Sequence, residues 1–149
     1  MIDFSAIAGL LGRSEQSREV RDFLSELGVS QPIPRPKRKE DHINIEVKGY
    51  PIELRFSFDE KKSTSEGEMF LDTIFFHRQS FGGGRDAAEI SILDININMS
   101  RDIVRKKMGP PAWSSPALNN DRWAVDGIRV LICFSNDEKS IRQLVFSKE

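Results

Sequence analysis

Apolar positions near the start of the chain recur every three or four residues, which predicts two helices. The first stripe comprises Phe4, Ile7, Ala8 and Leu11, and the second comprises Val20, Phe23, Leu24 and Leu27. Ser14 precedes the second stripe and is a candidate N-cap, because its hydroxyl can accept a hydrogen bond from a free helix amide. Gly28 follows the stripe and favours a stop, since glycine enters the left-handed region without strain. We therefore expect a short amphipathic helix and then a longer helix ending at residue 27.

From residue 43 onward the period changes to two, which predicts β-strands. Apolar and polar residues alternate over 43–47 and over 52–58, and a Gly-Tyr-Pro turn separates these two segments. The segment 69–77 is apolar on both sides and predicts a third strand with both faces partly covered.

The second half of the chain shows a similar order of elements. Residues 90–99 are predicted to be extended, and Ser100 then caps a helix that Gly109 and Pro110 terminate. Further strands are predicted at 122–125, 128–134 and 141–146.

Four polar or proline- and glycine-rich segments are predicted to be loops: 31–40, 59–69, 80–89 and 112–121. The first contains three prolines and a basic run, which favours an extended conformation. The third contains three consecutive glycines and is expected to be a mobile connector.

The two halves match as diverged copies of one helix-strand-strand-strand unit. In each half a Val-x-Gly triplet, ending at Gly49 or Gly127, precedes a Phe-Ser pair by seven residues. Ile74 and Phe76 of the first half correspond to Leu144 and Phe146 of the second. One such unit is too small to bury its apolar face alone. We therefore predict one α+β domain over 1–149, with repeats at about 14–79 and 98–147. It should contain an antiparallel sheet of about six or more strands, with the helices mainly on one face.

The motif S-R-x-x-V-R-x-x-x-G-x-P from Ser100 to Pro111, followed by Asp121-Arg122-Trp123, resembles the β-lactamase inhibitory protein fold. Over nearly its full length the chain is also similar to small bacterial cytoplasmic proteins found near polymorphic toxins and regarded as immunity proteins. This second resemblance rests on LLGRS-x-x-S-x-x-V-x-x-FL-x-x-LG, LDTIFF and SRDIVRKKMGPP. It implies an inhibitor that binds one cognate toxin domain. The proline-rich loop and the glycine connector depart from that group.

Composition excludes several classes of function. The net charge is -1 and the pI about 6.2, which argues against bulk nucleic-acid binding. The start of the chain has no positive region before its short apolar stretch, so we expect neither a targeting segment nor a membrane span. The single cysteine, Cys133, is interpreted as a small strand residue and fits a reducing compartment. We expect a cytoplasmic protein that is a monomer or a weak dimer.

The sequence offers little catalytic chemistry. One Cys and two distant His cannot supply a zinc site, and Gly82-Gly83-Gly84 lacks the ending of a phosphate loop. His42 is interpreted as a surface residue and His77 as the end of a strand. We expect no catalytic residue, no metal and no cofactor. A deep pocket lined by His77, with a carboxylate within hydrogen-bonding distance, would favour an enzyme instead.

The sheet face opposite the helices combines apolar and charged side chains and is a candidate docking surface. The predicted partner-binding residues are Glu46, Arg55, Phe75, His77, Trp113 and Arg129. Trp113 is either an exposed anchor or a side chain packed over a helix end. Two charged groups remain alternatives for partner contact: the acidic group of Asp59, Glu60, Glu66 and Glu68, and the basic group of Arg35, Lys37, Arg38 and Lys39.

The leading hypothesis is an immunity protein that binds and neutralises a cognate bacterial toxin by direct contact. The alternative is a non-enzymatic adaptor or self-assembling module that pairs through exposed strands. Self-association in sedimentation would favour the alternative.

Overall fold

A computed structural model describes residues 2–38, 42–59 and 67–149. Within these residues the main sheet has seven antiparallel strands. Numbered along the chain, they are β2 His42–Glu46, β3 Ile52–Phe58, β4 Met69–His77, β7 Trp113–Ser115, β8 Asn120–Val125, β9 Ile128–Phe134 and β10 Ile141–Lys148. Their order across the sheet is β2-β3-β4-β10-β9-β8-β7. A small sheet contains β1 Ile2–Asp3, β5 Ile90–Ile92 and β6 Ile95–Asn96.

Two α-helices, α1 Arg18–Glu26 and α2 Arg101–Met108, begin at serine caps. Ser17 Oγ accepts from the amide of Val20, and Ser100 Oγ accepts from the amide of Ile103. The prediction that Ser14 caps the first of these helices is wrong, because Ser14 lies beside β4 and donates its hydroxyl to Glu68. The predicted N-terminal helix is a 3₁₀ helix over Ser5–Leu10, and a second 3₁₀ helix spans Ala87–Glu89.

The α+β class and the antiparallel sheet are confirmed. One face of the main sheet packs against α1 and α2. Its fully buried side chains include Phe56, Phe76, Phe134 and Phe146. Val20 and Leu24 of α1 and Val104 of α2 belong to the same core. Burial of a Phe side chain contributes about 1.5–3 kcal/mol, so these four rings are a large part of what holds the helices to the sheet.

The last strands of the two predicted repeats, β4 and β10, are neighbours at the centre of the main sheet. Phe75 pairs with Val145, Ile74 with Phe146 and Phe76 with Leu144. In the predicted repeat, Ile74 corresponds to Leu144 and Phe76 corresponds to Phe146. In the sheet these pairs are exchanged, because Ile74 lies opposite Phe146 and Phe76 lies opposite Leu144. Two similar units related by a local two-fold axis between β4 and β10 have this register. The internal repeat stays a prediction. The observed register between β4 and β10 is the one that such a two-fold arrangement requires.

Residues 90–99 are not one extended segment. Leu93 and Asp94 have φ of 53° and 62°, and they turn the chain between Ile92 and Ile95, which pair with each other. Two-residue hairpin loops need positive φ and are usually signalled by Asn-Gly or Gly. Leu93-Asp94 lacks that signal. The turn instead forms where four flanking isoleucines, Ile90, Ile92, Ile95 and Ile97, are buried.

Two predicted loops are also more ordered than expected. Trp113–Ser115, within the predicted loop 112–121, form the edge strand β7 paired with β8. The connector 80–89 is anchored rather than mobile, because Gly49 N–H donates to Phe81 O at 2.8 Å and Arg85 N–H donates to Gly49 O at 3.1 Å. Gly84, at φ 115°, packs so closely that a Cβ there would lie 2.6 Å from Gly49 O.

Candidate partner-binding face

The face of the main sheet opposite α1 and α2, called the open face below, presents the less buried half of each strand alternation. Cross-strand pairs place one residue from every strand in a continuous row: Glu46, Glu53, Phe75, Val145, Leu131, Arg122 and Trp113. The three central residues of the row are half-buried and apolar, and its ends are charged or aromatic. The row therefore forms an apolar strip between an acidic end and a basic end.

All six residues predicted to bind a partner lie on this face. Glu46, Phe75 and Trp113 belong to the row itself. Arg55 and Arg129 lie in the neighbouring row, connected through Thr73 and Ser147. His77 follows Phe75 by two residues along β4 and pairs with Gln143 of β10. The register of distant strands brings these six side chains to one surface.

Phe75 lies at the centre of the face between two nitrogen-containing side chains. The guanidinium carbon of Arg55 lies 5.1 Å from the Phe75 ring centroid. The His77 ring is stacked on Phe75, with centroids 6.3 Å apart and planes 13° from parallel. Phe81 packs edge-on against His77 at 5.3 Å. These contacts hold Phe75 as a half-buried aromatic surface with restricted motion.

A chain of hydrogen bonds fixes the side chains around Phe75. Arg55 Nε donates to Asn44 Oδ1 at 3.1 Å, and Asn44 Nδ2 donates to Glu53 Oε2 at 2.7 Å. Glu53 Oε1 lies 2.9 Å from His77 Nε2, and Gln143 Nε2 lies 3.4 Å from His77 Nδ1. Because the chain connects β2, β3, β4 and β10, the orientations of Arg55 and His77 are set before any partner arrives.

Three residues connect this network: Asn44, Glu53 and Gln143. None of them was among the predicted partner-binding residues. Their alternation placed them on the same face, which was the available signal. Which of them bond to one another depends on cross-strand register, and strand alternation does not specify register.

The two tryptophans have different roles. Trp113 has an exposed fraction of 43% and lies beside the Arg122 guanidinium, whose carbon is 5.3 Å from its ring. Trp123 is buried, and its Nε1 donates to Gly109 O at 3.0 Å, over the end of α2. Of the two interpretations given for Trp113, the exposed side chain is therefore the observed one, and Trp123 packs over the helix end.

The S-R-x-x-V-R motif and Asp121 meet in a buried ionic cluster on the helix side of the sheet. Asp121 is fully buried and accepts hydrogen bonds from Arg101, Arg105 and Ser114. Arg101 also donates to Glu138. Burial alone would raise the pKa of Asp121, but donation from Arg105, Arg101 and Ser114 outweighs it and holds this pKa well below its usual range. The motif attaches α2 to the sheet, which is a structural role.

The row through Phe75 does not include three other candidate residues, Arg35, His42 and Cys133. Arg35 of the predicted basic group is paired with the buried carboxylate of Glu15. Lys39, Glu60 and Glu66 lie outside the described residues. His42 is exposed, as predicted. Cys133 is buried within β9, and burial raises the pKa of its thiol despite the nearby Arg142.

One part of the condition set for an enzyme is present. His77 has the Glu53 carboxylate within hydrogen-bonding distance, but three of the larger surface cavities lie beside α1 and do not include His77. Among the described residues, no group of three or more His, Cys, Asp or Glu side chains is placed to hold a metal ion. The described part of the chain contains no helix with the length and apolarity to cross a membrane.

The fold class is α+β, with one open sheet face. Neither a family model nor a curated protein sequence matches the chain. Its structure is similar to that of YjgB, a DUF4309 family protein from Bacillus subtilis subsp. subtilis str. 168. The two share 12% sequence identity, the match covers 87% of this chain and 77% of the other, and the TM-score is 0.45. A likeness this distant carries no argument about function.

Proposed function

We propose that this chain is a non-enzymatic binding protein that receives a partner protein on the open face of its main sheet. The observation that carries the proposal is the position of Phe75, an aromatic side chain held in place between Arg55 and His77 at the acidic end of the apolar strip. Anchors of this kind, rigid and surrounded by partly buried polar groups, supply most of the free energy in protein interfaces.

The charges on the face indicate what the partner presents. In the row through Phe75, Glu46 and Glu53 lie at the β2–β3 end and Arg122 at the β8–β9 end. In the neighbouring row, Arg55 lies on β3 and Arg129 on β9. Electrostatic complementarity sets orientation and association rate. We therefore expect a partner with basic side chains toward β2 and β3, acidic side chains toward β8 and β9, and an apolar patch between them.

The sequence resemblance to immunity proteins suggests a toxin domain as this partner. An inhibitor that acts by covering a toxin's active surface needs a preorganised face and no catalytic group. Phe75, held between Arg55 and His77, and the exposed Trp113 fit that requirement.

Co-expression with the product of the adjacent gene tests the toxin proposal. Rescue of growth and a stable complex on size exclusion are the expected results. If the neighbouring product is toxic and this chain neither rescues growth nor binds it, the toxin proposal is wrong.

Variants test the binding face separately, by calorimetric titration of the complex. Phe75→Ala and Trp113→Ala should each weaken binding about 30-fold or more, as loss of an aromatic anchor does. Arg55→Glu should weaken it by removing the guanidinium from the Phe75 ring and the hydrogen bond to Asn44. Glu46→Lys should weaken it through lost charge complementarity. The matched control is Ile103→Ala on α2, which is 45% exposed and should leave affinity within about threefold. Unchanged affinity in all four face variants would place the interface elsewhere.

A further inference from the structure

The outer edge of β2 is an unpaired strand edge among the described residues. Strand β2 lies at the end of the main sheet, next to β3 only. The amide of Val47, just after β2, donates to Ile52 O of β3. Because backbone groups alternate in direction along an antiparallel strand, Ile43 and Ile45 also bond toward β3. The N–H and C=O groups of residues 42, 44 and 46 therefore point outward.

The two edges of the main sheet differ in protection. The opposite edge strand, β7, has three residues, and Pro111 and Pro116 lie near its ends. Short length and nearby proline are common protections against edge pairing. Strand β2 has five residues, His-Ile-Asn-Ile-Glu, with no proline, lysine or register shift in its pairing with β3. It is the edge suited to accept another strand.

An apolar groove runs beside this edge on the helix side of the sheet. Val29 and Pro34 line it together with Ile43 and Ile45 of β2. The two isoleucines are half-buried against the core. A strand added to β2 would place its own helix-side residues over Val29 and Pro34. The groove therefore favours a strand with apolar side chains at alternate positions.

The sequence of β2 has that alternation and complements itself. When two copies are placed antiparallel with Asn44 opposite Asn44, Ile43 of each copy faces Ile45 of the other, and His42 faces Glu46. The outward backbone groups of residues 42, 44 and 46 then all find partners. We propose that two copies of this chain pair through β2, with the isoleucines of each copy filling the groove of the other.

This pairing does not depend on the proposed partner-binding function. It joins the two main sheets into one and leaves Phe75, two strands in from the edge, uncovered. The contact is confined to one short strand and its groove, so we expect a concentration-dependent equilibrium rather than a permanent dimer.

Sedimentation velocity over a wide concentration range tests the proposal. The apparent mass should rise with concentration from 17.0 kDa toward twice that value. Asn44→Pro removes an outward N–H that β3 does not use, so this variant should remain folded by circular dichroism and lose self-association. Asn44→Ala loses the same side chain, keeps the N–H, and should still dimerise. A strictly monomeric wild type, a dimeric Asn44→Pro protein or a monomeric Asn44→Ala protein would each overturn the proposal.

Disulfide crosslinking tests the register without relying on a proline. Directly opposed residues in a hydrogen-bonded antiparallel pair have Cα atoms about 5.5 Å apart, within the range of a disulfide. Asn44→Cys should therefore crosslink two copies under mild oxidation. His42→Cys, exposed on the same strand but opposite Glu46, should not. Cys133 is buried and serves as the internal background. Equal crosslinking of the two variants, or none in Asn44→Cys, contradicts the register.

Discussion

Removal of the Asp121 charge should destabilise the domain more than the loss of an ordinary surface ion pair. Asp121 has no exposed side-chain surface, and its two oxygens accept five hydrogen bonds: two from Arg101, two from Arg105 and one from Ser114. Asp121→Asn keeps the shape but replaces one acceptor oxygen with a donor that faces the guanidinium groups. The side chain of Arg101 is 8% exposed, so its positive charge then stays buried without the negative charge of Asp121 to balance it.

The loss of unfolding free energy in Asp121→Asn depends on which of the remaining charged side chains can become solvated. Loss of one partner of a buried pair costs about 3–5 kcal/mol. Arg105 is 40% exposed and can turn outward, and Glu138 still accepts from Arg101. The lower end, about 3 kcal/mol, is therefore expected. A domain of this kind has about 5–15 kcal/mol of stability in total, so the folded protein should survive at room temperature.

Urea unfolding followed by circular dichroism measures this loss. With a slope of about 1–3 kcal/mol per molar urea, the midpoint should fall by about 1–3 M. The matched control is Glu138→Gln, because Glu138 binds the same Arg101 but is 50% exposed and should cost less than about 1 kcal/mol. If Asp121→Asn loses less than about 1 kcal/mol, the cluster is not a major source of stability and the reasoning is wrong.

The pKa of the Asp121 carboxylate also predicts how the stability of the domain changes with pH. The folded-state pKa of Asp121 is lowered, since donated hydrogen bonds outweigh burial. A lowered pKa contributes stability that is fully present well above the unfolded value of about 3.9 and is lost as the pH falls toward the folded pKa. The difference in unfolding free energy between wild type and Asp121→Asn should therefore be constant near pH 7 and shrink below about pH 4. A difference that grows as the pH falls would contradict this sign.

Three further predictions concern single side chains. Gly84→Ala should destabilise the protein by about 1–3 kcal/mol more than Gly83→Ala in thermal unfolding. Both glycines have positive φ, but only at residue 84 would the new Cβ meet the Gly49 backbone. Trp123→Phe should cost about 1–2 kcal/mol in urea unfolding, because it leaves Gly109 O without its donor, whereas Trp113→Phe should be nearly neutral. Cys133 should react with a thiol reagent much more slowly in the native than in the unfolded protein, because it is buried and its pKa is raised. Fast labelling of the native protein would contradict its placement.

The sequence predicted elements best where the deciding contacts are local. The start of α2 at Ser100 and its end at Gly109 depend on groups within four residues, and both are confirmed. Strand alternation likewise depends on near neighbours, and it placed the side chains of β3 and β9 on the correct faces. For the same reason four candidate residues of the open face could be assigned to one surface from the sequence: Glu46, Arg55, Phe75 and Arg129. Trp113 was predicted in a loop and reaches that face through strand β7.

Tertiary structure decided which distant residues meet. The sequence left open whether Trp113 is exposed or packs over a helix end. Trp123 takes that position over α2, and which tryptophan does so depends on the position of β8 relative to the helix. Likewise it did not predict strand β7 or the hairpin at Leu93–Asp94, which are stabilised by pairing and burial rather than by local preference. The placement of Phe75 between Arg55 and His77 also comes from register across separate strands. Periodicity and capping report interactions along the chain, whereas a binding face is made of contacts between segments that only the folded sheet brings together.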